Sequence, residues 1–181
     1  MTGNDRTALI RAFHASTWQG VMSITGGGAS SLGWLLSIPG GSRTLLEGIV
    51  PYSDAALTSW LRKCPDQTCS SATALAMAMA AYQRAGELHS GPDQFGLGCT
   101  AALVSERPKR GDHRIHVGLQ TAVRTELLSL TLNKGARGRE EEEAVAAELI
   151  LQALSHLIGE EFSPLLLNGE AVERKQTIAD A

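Results

Sequence analysis

Hydrophobic and polar positions along this chain recur with two different periods, and the switches between them mark the predicted elements. Ala8, Leu9, Ala12 and Phe13 recur at helical spacing and predict a leading helix over Asp5–Ala15. Val21, Met22 and Ile24 form a short apolar run that predicts a buried strand. Gly26-Gly27-Gly28 follows, then a helix over Ala29–Ser37 with Leu32, Leu35 and Leu36 on one face and Pro39-Gly40 at its end. Thr44–Val50 reads as a second strand. Ser53 then caps a helix over Asp54–Leu61, whose apolar face is Ala56, Leu57, Trp60 and Leu61. Ser70 or Ser71 caps a long Ala- and Met-rich helix expected to stop at Gly86, with a core stripe of Leu75, Met79 and Tyr82.

The second half continues the alternation. Phe95–Val104 predicts a central strand, and Gly96 and Gly98 within it imply close approach by a helix or a ligand. Ile115, Val117 and Leu119 alternate with His116, Gly118 and Gln120. Leu128, Leu130 and Leu132 alternate with Ser129 and Thr131, so both stretches predict half-buried strands. A turn at Asn133-Lys134-Gly135 leads to a final helix that reaches Ile158 and ends at Gly159. Glu140 to Glu143 in its first turn suit the positive end of the helix dipole. Glu160 to Ala181 is polar apart from Leu165–Leu167. The expected organisation is therefore one α/β domain over 1–159 and a polar tail or linker over 160–181.

Composition narrows the function classes. With 181 residues and 43% hydrophobic positions, one domain with a substantial core is expected. A net charge of −3 and a pI near 5.9 give no electrostatic case for nucleic acid or an anionic membrane. The uncharged window Gly20–Ser42 is filled with Gly and Ser, a poor match for the roughly 20 apolar residues of a membrane span. Cys64, Cys69 and Cys99 fit no zinc spacing and cannot all pair with one another. Together with a polar Met1–Asp5 and no apolar leader, they point to reduced thiols in a cytoplasmic protein. No metal or cofactor is expected, and His113 and His116, three apart on an extended chain, face opposite ways.

Two stretches carry candidate chemistry. The strand–glycine–helix sequence around Gly26, Gly27, Gly28 and Ser30 is the arrangement that presents backbone N–H groups to a phosphate or carboxylate. The same glycines also suit a close strand–helix crossing, and both readings stand. The stretch Glu106–Arg114 is dense in basic side chains, with Arg107, Lys109, Arg110 and Arg114. It is either a solvated loop or a basic flap over an anionic ligand.

The ordered set Thr25-Gly26-Gly27, Ile38-Pro39-Gly40-Gly41-Ser42, Gly48-Ile49-Val50-Pro51-Tyr52-Ser53, Gly98-Cys99-Thr100 and Arg139-Glu140-Glu141 resembles the C-terminal domain family of the competence-damage-inducible protein CinA. The resemblance implies a three-layer α/β/α sandwich with a mixed central sheet. It also implies amidase chemistry that converts nicotinamide mononucleotide to nicotinic acid mononucleotide and ammonia. Gly27-Gly28-Ala29-Ser30, the Arg107–Arg114 run and Arg139-Glu140-Glu141-Glu142 are closest to the variant branch found in plants, where the segment precedes a nucleotidyltransferase-like domain.

The resemblance places the catalytic set at Thr25, Tyr52, Ser53 and Thr100. Thr25 stands where the family has its nucleophilic serine, Ile24 where it has a glutamate, and Leu57 where it has a lysine. A hydroxyl without a base to take its proton is not activated. Three readings follow. The first is a domain binding a small phosphorylated, pyridine-nucleotide-like ligand through Gly26, Gly27, Gly28, Ser30, Arg107, Lys109, Arg110 and Arg114. The second is a working amidohydrolase using Thr25, and the third a structural, partner-binding module. Homo-oligomers, and a nucleotidyltransferase partner, are further implications of the resemblance.

Overall fold

The computed structural model describes residues 5–179. Most of the polar leader Met1–Asp5, and the last two residues of the 160–181 segment, lie outside the described residues. The elements follow as α1 (Arg6–His14), β1 (Gln19–Thr25), α2 (Ser30–Ser37), a 3-10 turn at Gly41–Arg43, β2 (Leu45–Ile49), α3 (Asp54–Leu61), α4 (Ser71–Leu88), β3 (Gln94–Ala102), β4 (His113–Gln120), β5 (Arg124–Leu132), α5 (Arg139–Leu157) and β6 (Glu173–Ile178).

The strands form one six-stranded mixed sheet in the order β2-β1-β3-β4-β5-β6. β1 is parallel to both β2 and β3. The remaining pairs are antiparallel. The carboxyl ends of the parallel strands β1 and β3, at Thr25 and Thr100, therefore lie side by side. In open α/β sheets that edge is where ligands bind.

The two faces are packed differently. On one face, α1, α2 and α5 bury the main core, where Phe13 meets Phe95 edge-on at 5.8 Å between ring centroids and Leu149, Ile150 and Leu154 complete the layer. Burying a residue such as Phe95 is worth roughly 1.5–3 kcal/mol. On the other face α4 lies almost in backbone contact with the sheet. A methyl group on Gly96 would stand 2.1 Å from the Tyr82 amide nitrogen, and one on Gly98 would stand 2.4 Å from the Ala74 carbonyl oxygen. The close approach anticipated at these glycines is a helix.

That contact also corrects the expected stripe. Thr73, Ala74, Met77, Ala78, Ala81 and Ala85 face the sheet, while Met79 is exposed and Leu75 and Tyr82 are half-buried. Apart from Met77, the side chains that meet the glycine-lined surface are small. The helix also runs through Gly86 to Leu88.

His14 is a structural histidine. Its Nε2 donates to the Leu35 carbonyl at 2.9 Å, so its Nδ1 accepts from the Thr44 hydroxyl at 2.7 Å, tying α1 to α2 and to the start of β2.

Residues 160–179, expected as a polar tail or linker, carry the sixth strand. Phe162 is buried in the main core. Arg137 pairs with Glu170 at 2.7 Å. Arg174 of β6 reaches the buried Glu126 at 2.9 Å, and Glu126 also accepts from His156 at 2.5 Å. Every residue of β6 is exposed, so its sequence carries no apolar alternation.

Candidate functional site

The glycine turn is built from β1 upward. Gly26 and Gly28 adopt φ of +78° and +96°, which only glycine takes readily. A Cβ on Gly26 would also stand 2.0 Å from the Ala101 carbonyl oxygen. The turn delivers the chain into α2, whose first N–H groups have no partner within the helix.

An anion does occupy this turn, and it is the protein's own. Glu143 of α5 accepts from the Gly28 amide at 2.8 Å, the Ser30 amide at 3.0 Å and the Ser30 hydroxyl at 3.1 Å. From the same helix, Arg139 donates to the Gly26 carbonyl at 2.8 Å and to the Val104 carbonyl at 3.2 Å. Glu142 turns the other way. Fully buried, it accepts from the Val104 amide at 2.6 Å and from His113 Nδ1 at 2.7 Å. Glu141 accepts from the Gly138 amide at 2.8 Å and caps its own helix. Two of the four glutamates are thus more than a complement to the dipole: Glu143 fastens the turn, and Glu142 the end of β3, to α5.

Of the residues placed in the catalytic set, the structure brings Thr25 and Thr100 together. Thr25, 2% exposed, lies beside Thr100 on the α4 face of the sheet. The Thr100 hydroxyl donates to the Thr68 carbonyl at 2.6 Å. Ser53 caps α3, its hydroxyl accepting from the Ala56 amide at 3.1 Å. Tyr52 is 64% exposed, and Leu57, at the position implied for the lysine, is 1% exposed.

Of the basic residues, Arg107, Lys109 and Arg110 lie on an exposed loop between β3 and β4. Arg114 is a half-buried member of β4, opposite Ala102 and Thr131. The cation that reaches the turn is Arg139. Sequence reading assigned it only to a family motif, because nothing local shows which carbonyl it meets. An open cleft of about 360 Å³, lined by Val104, Ser105, Glu106 and Arg139, lies where this loop leaves β3.

The two cysteines nearest the sheet do not add a nucleophile. Burial pushes the thiols of Cys69 and Cys99 up, keeping them protonated.

Solved structures share this architecture. The competence/damage inducible protein CihA from Agrobacterium tumefaciens superposes with a TM-score of 0.60 at 22% identity, covering 86% of this chain and 95% of its own. A competence-damaged protein (CinA) superfamily protein from Escherichia coli gives 0.63 at 16% identity, covering 87% and 90%. One from Klebsiella pneumoniae gives 0.63 at 15%, covering 88% and 99%. The fold is that of CinA-superfamily proteins. No protein-family model matches the chain, and no curated protein matches its sequence. Among the described residues, no helix of this CinA-like fold is long and apolar enough to cross a membrane.

Proposed function

We propose that the chain is a CinA-like domain that binds a small phosphorylated, pyridine-nucleotide-like ligand beside the glycine turn and does not hydrolyse an amide. The observation that supports this reading is that, among the described residues, no basic side chain makes a hydrogen bond to the buried Thr25 hydroxyl. Leu57 fills the position implied for the lysine, and the neighbouring Thr100 hydroxyl is committed to a carbonyl. The turn itself remains a competent anion cradle, since it already holds a carboxylate through two amides and a hydroxyl. A ligand phosphate takes the place of Glu143 there. Arg139 stands at the turn, and Arg107, Lys109 and Arg110 close over it from the neighbouring loop.

The test is calorimetric titration of nicotinamide mononucleotide into the wild type and Glu143→Gln, beside an assay for released ammonia. The expected result is binding without ammonia, tightened at least fivefold by Glu143→Gln because a competing negative charge is gone. Ammonia release that disappears in Thr25→Ala overturns the non-hydrolytic reading. Absence of binding to both proteins overturns the ligand.

A further inference from the structure

On the opposite face of the sheet, polar side chains line up across five strands. In register they are Thr25, Thr100, His116, Ser129 and Glu173. The row behind them reads Ser23, Gly98, Gly118, Leu127 and Lys175, and its two glycines lie under α4. α4 begins at Ser71. Thr100 in the polar row is covered by Thr68 and Cys69. The far end of the row is open, and forms a cleft of about 400 Å³ between Ser71 and the strands β4 to β6.

Its lining is specific in chemistry. Ser71, Ser129 and Thr131 bring hydroxyls, Leu127 supplies an apolar patch, and Glu173 and Lys175 bring opposite charges. His116 joins Ser129 through Nδ1 at 2.8 Å, and its Nε2 is buried with no hydrogen-bond partner. Burial, and then the charge of Arg114, lower the His116 pKa, so the ring is neutral near pH 7. With a neutral histidine, the lining itself carries one charge of each sign, and the charge of Arg114 stands beside His116 behind it. An anion would meet Glu173, and an apolar ligand would leave the hydroxyls and the imidazole unmatched. A ligand carrying adjacent hydroxyls matches both halves: a carboxylate accepts from a pair of them, as acidic residues do with ribose, while Lys175 and the serine hydroxyls donate.

We propose that this cleft binds the vicinal diol of a small neutral polyol, either a free monosaccharide or the sugar of a nucleoside. It is a different cleft from the glycine turn, so it stands or falls separately from the phosphate reading.

The test is NMR titration of the full chain with D-ribose, uridine, 2′-deoxyuridine and inorganic phosphate, following the His116 ring and the Ser129 and Thr131 amides. Saturable shifts with ribose or uridine are expected, at least tenfold weaker with 2′-deoxyuridine and in Glu173→Gln. Glu173 is exposed on β6, so this variant keeps the fold, which the remaining spectrum verifies. Equal affinity for ribose and uridine identifies a free sugar as the source; tighter uridine binding identifies a nucleoside. Absence of saturable shifts with either diol, equal binding of 2′-deoxyuridine, or shifts with phosphate alone overturns the proposal.

Discussion

At the carboxyl edge of β1 and β3, the two faces of the sheet are finished in opposite ways. On the α5 face, polar groups are consumed internally: Glu143 fills the glycine turn, Glu142 takes an amide and a histidine, and Arg139 takes two carbonyls. On the α4 face, a row of polar side chains ends in an open cleft with an unmatched imidazole nitrogen. The two faces share the same strands, so the difference lies in their helices. α5 points its charged first turn at the sheet edge. α4 opens with Ser70, Ser71 and Ala72, too short to reach across. A carboxylate fixed by several donors inside the protein is a structural element first. It becomes a binding device only where something can displace it.

The sharpest way to break this contrast is Glu142→Ala. It leaves the Val104 amide and His113 buried without their acceptor, and a loss of about 3–5 kcal/mol is expected. Urea denaturation measures it, and a loss below 1 kcal/mol would mean that the α5 face is not held by its glutamates. Next is Gly98→Ala on the α4 face. The added methyl group meets the Ala74 carbonyl at 2.4 Å and Met77 Cβ at 2.5 Å, with an expected cost of about 1–3 kcal/mol. This variant also moves α4 at the cleft, so it should shift His116 resonances while leaving ligand binding at the glycine turn unchanged. If both sites respond equally, the faces are coupled.

The smallest effect concerns acid. The Arg137 hydrogen bonds, opposed by burial, push the Glu170 carboxyl down to about 2. A depressed carboxyl stabilises the fold above its ordinary range near 4.5, and that contribution is lost as pH falls from there through about 2. Arg137→Gln should therefore flatten the acid limb of the stability curve in that window and leave the rest of the profile unaltered. Denaturation series at several pH values, compared between the two proteins, decide it.

The elements themselves were legible because their causes are local. Ser53 caps α3 and Ser70 caps α4 through bonds to residues three positions on. The alternation over Ile115–Gln120 and Leu128–Leu132 is the pleat of β4 and β5, and it puts His113 and His116 on opposite faces, as expected. The glycine turn was legible as either an anion cradle or a close crossing, and it both holds the Glu143 carboxylate and packs closely on β3. Its occupant was not legible, because Glu143 is more than a hundred positions away from Gly28 and sits in a run of four glutamates that looks solvated. β6 was missed for a related reason. Six exposed residues give no hydrophobic period, and the strand is held by backbone pairing to β5 and by Arg174 on Glu126.

By itself, then, the sequence determined the alternation of strands and helices, the caps and the positions where only glycine fits. Those features act within a few residues or through one side chain's chemistry. Tertiary structure alone decided which face of α4 is buried, which glutamate fills the turn, and which hydroxyls are already spoken for. It also decided that His116, Ser129 and Glu173 would meet. Each of these depends on strand order and register, which bring together residues tens of positions apart.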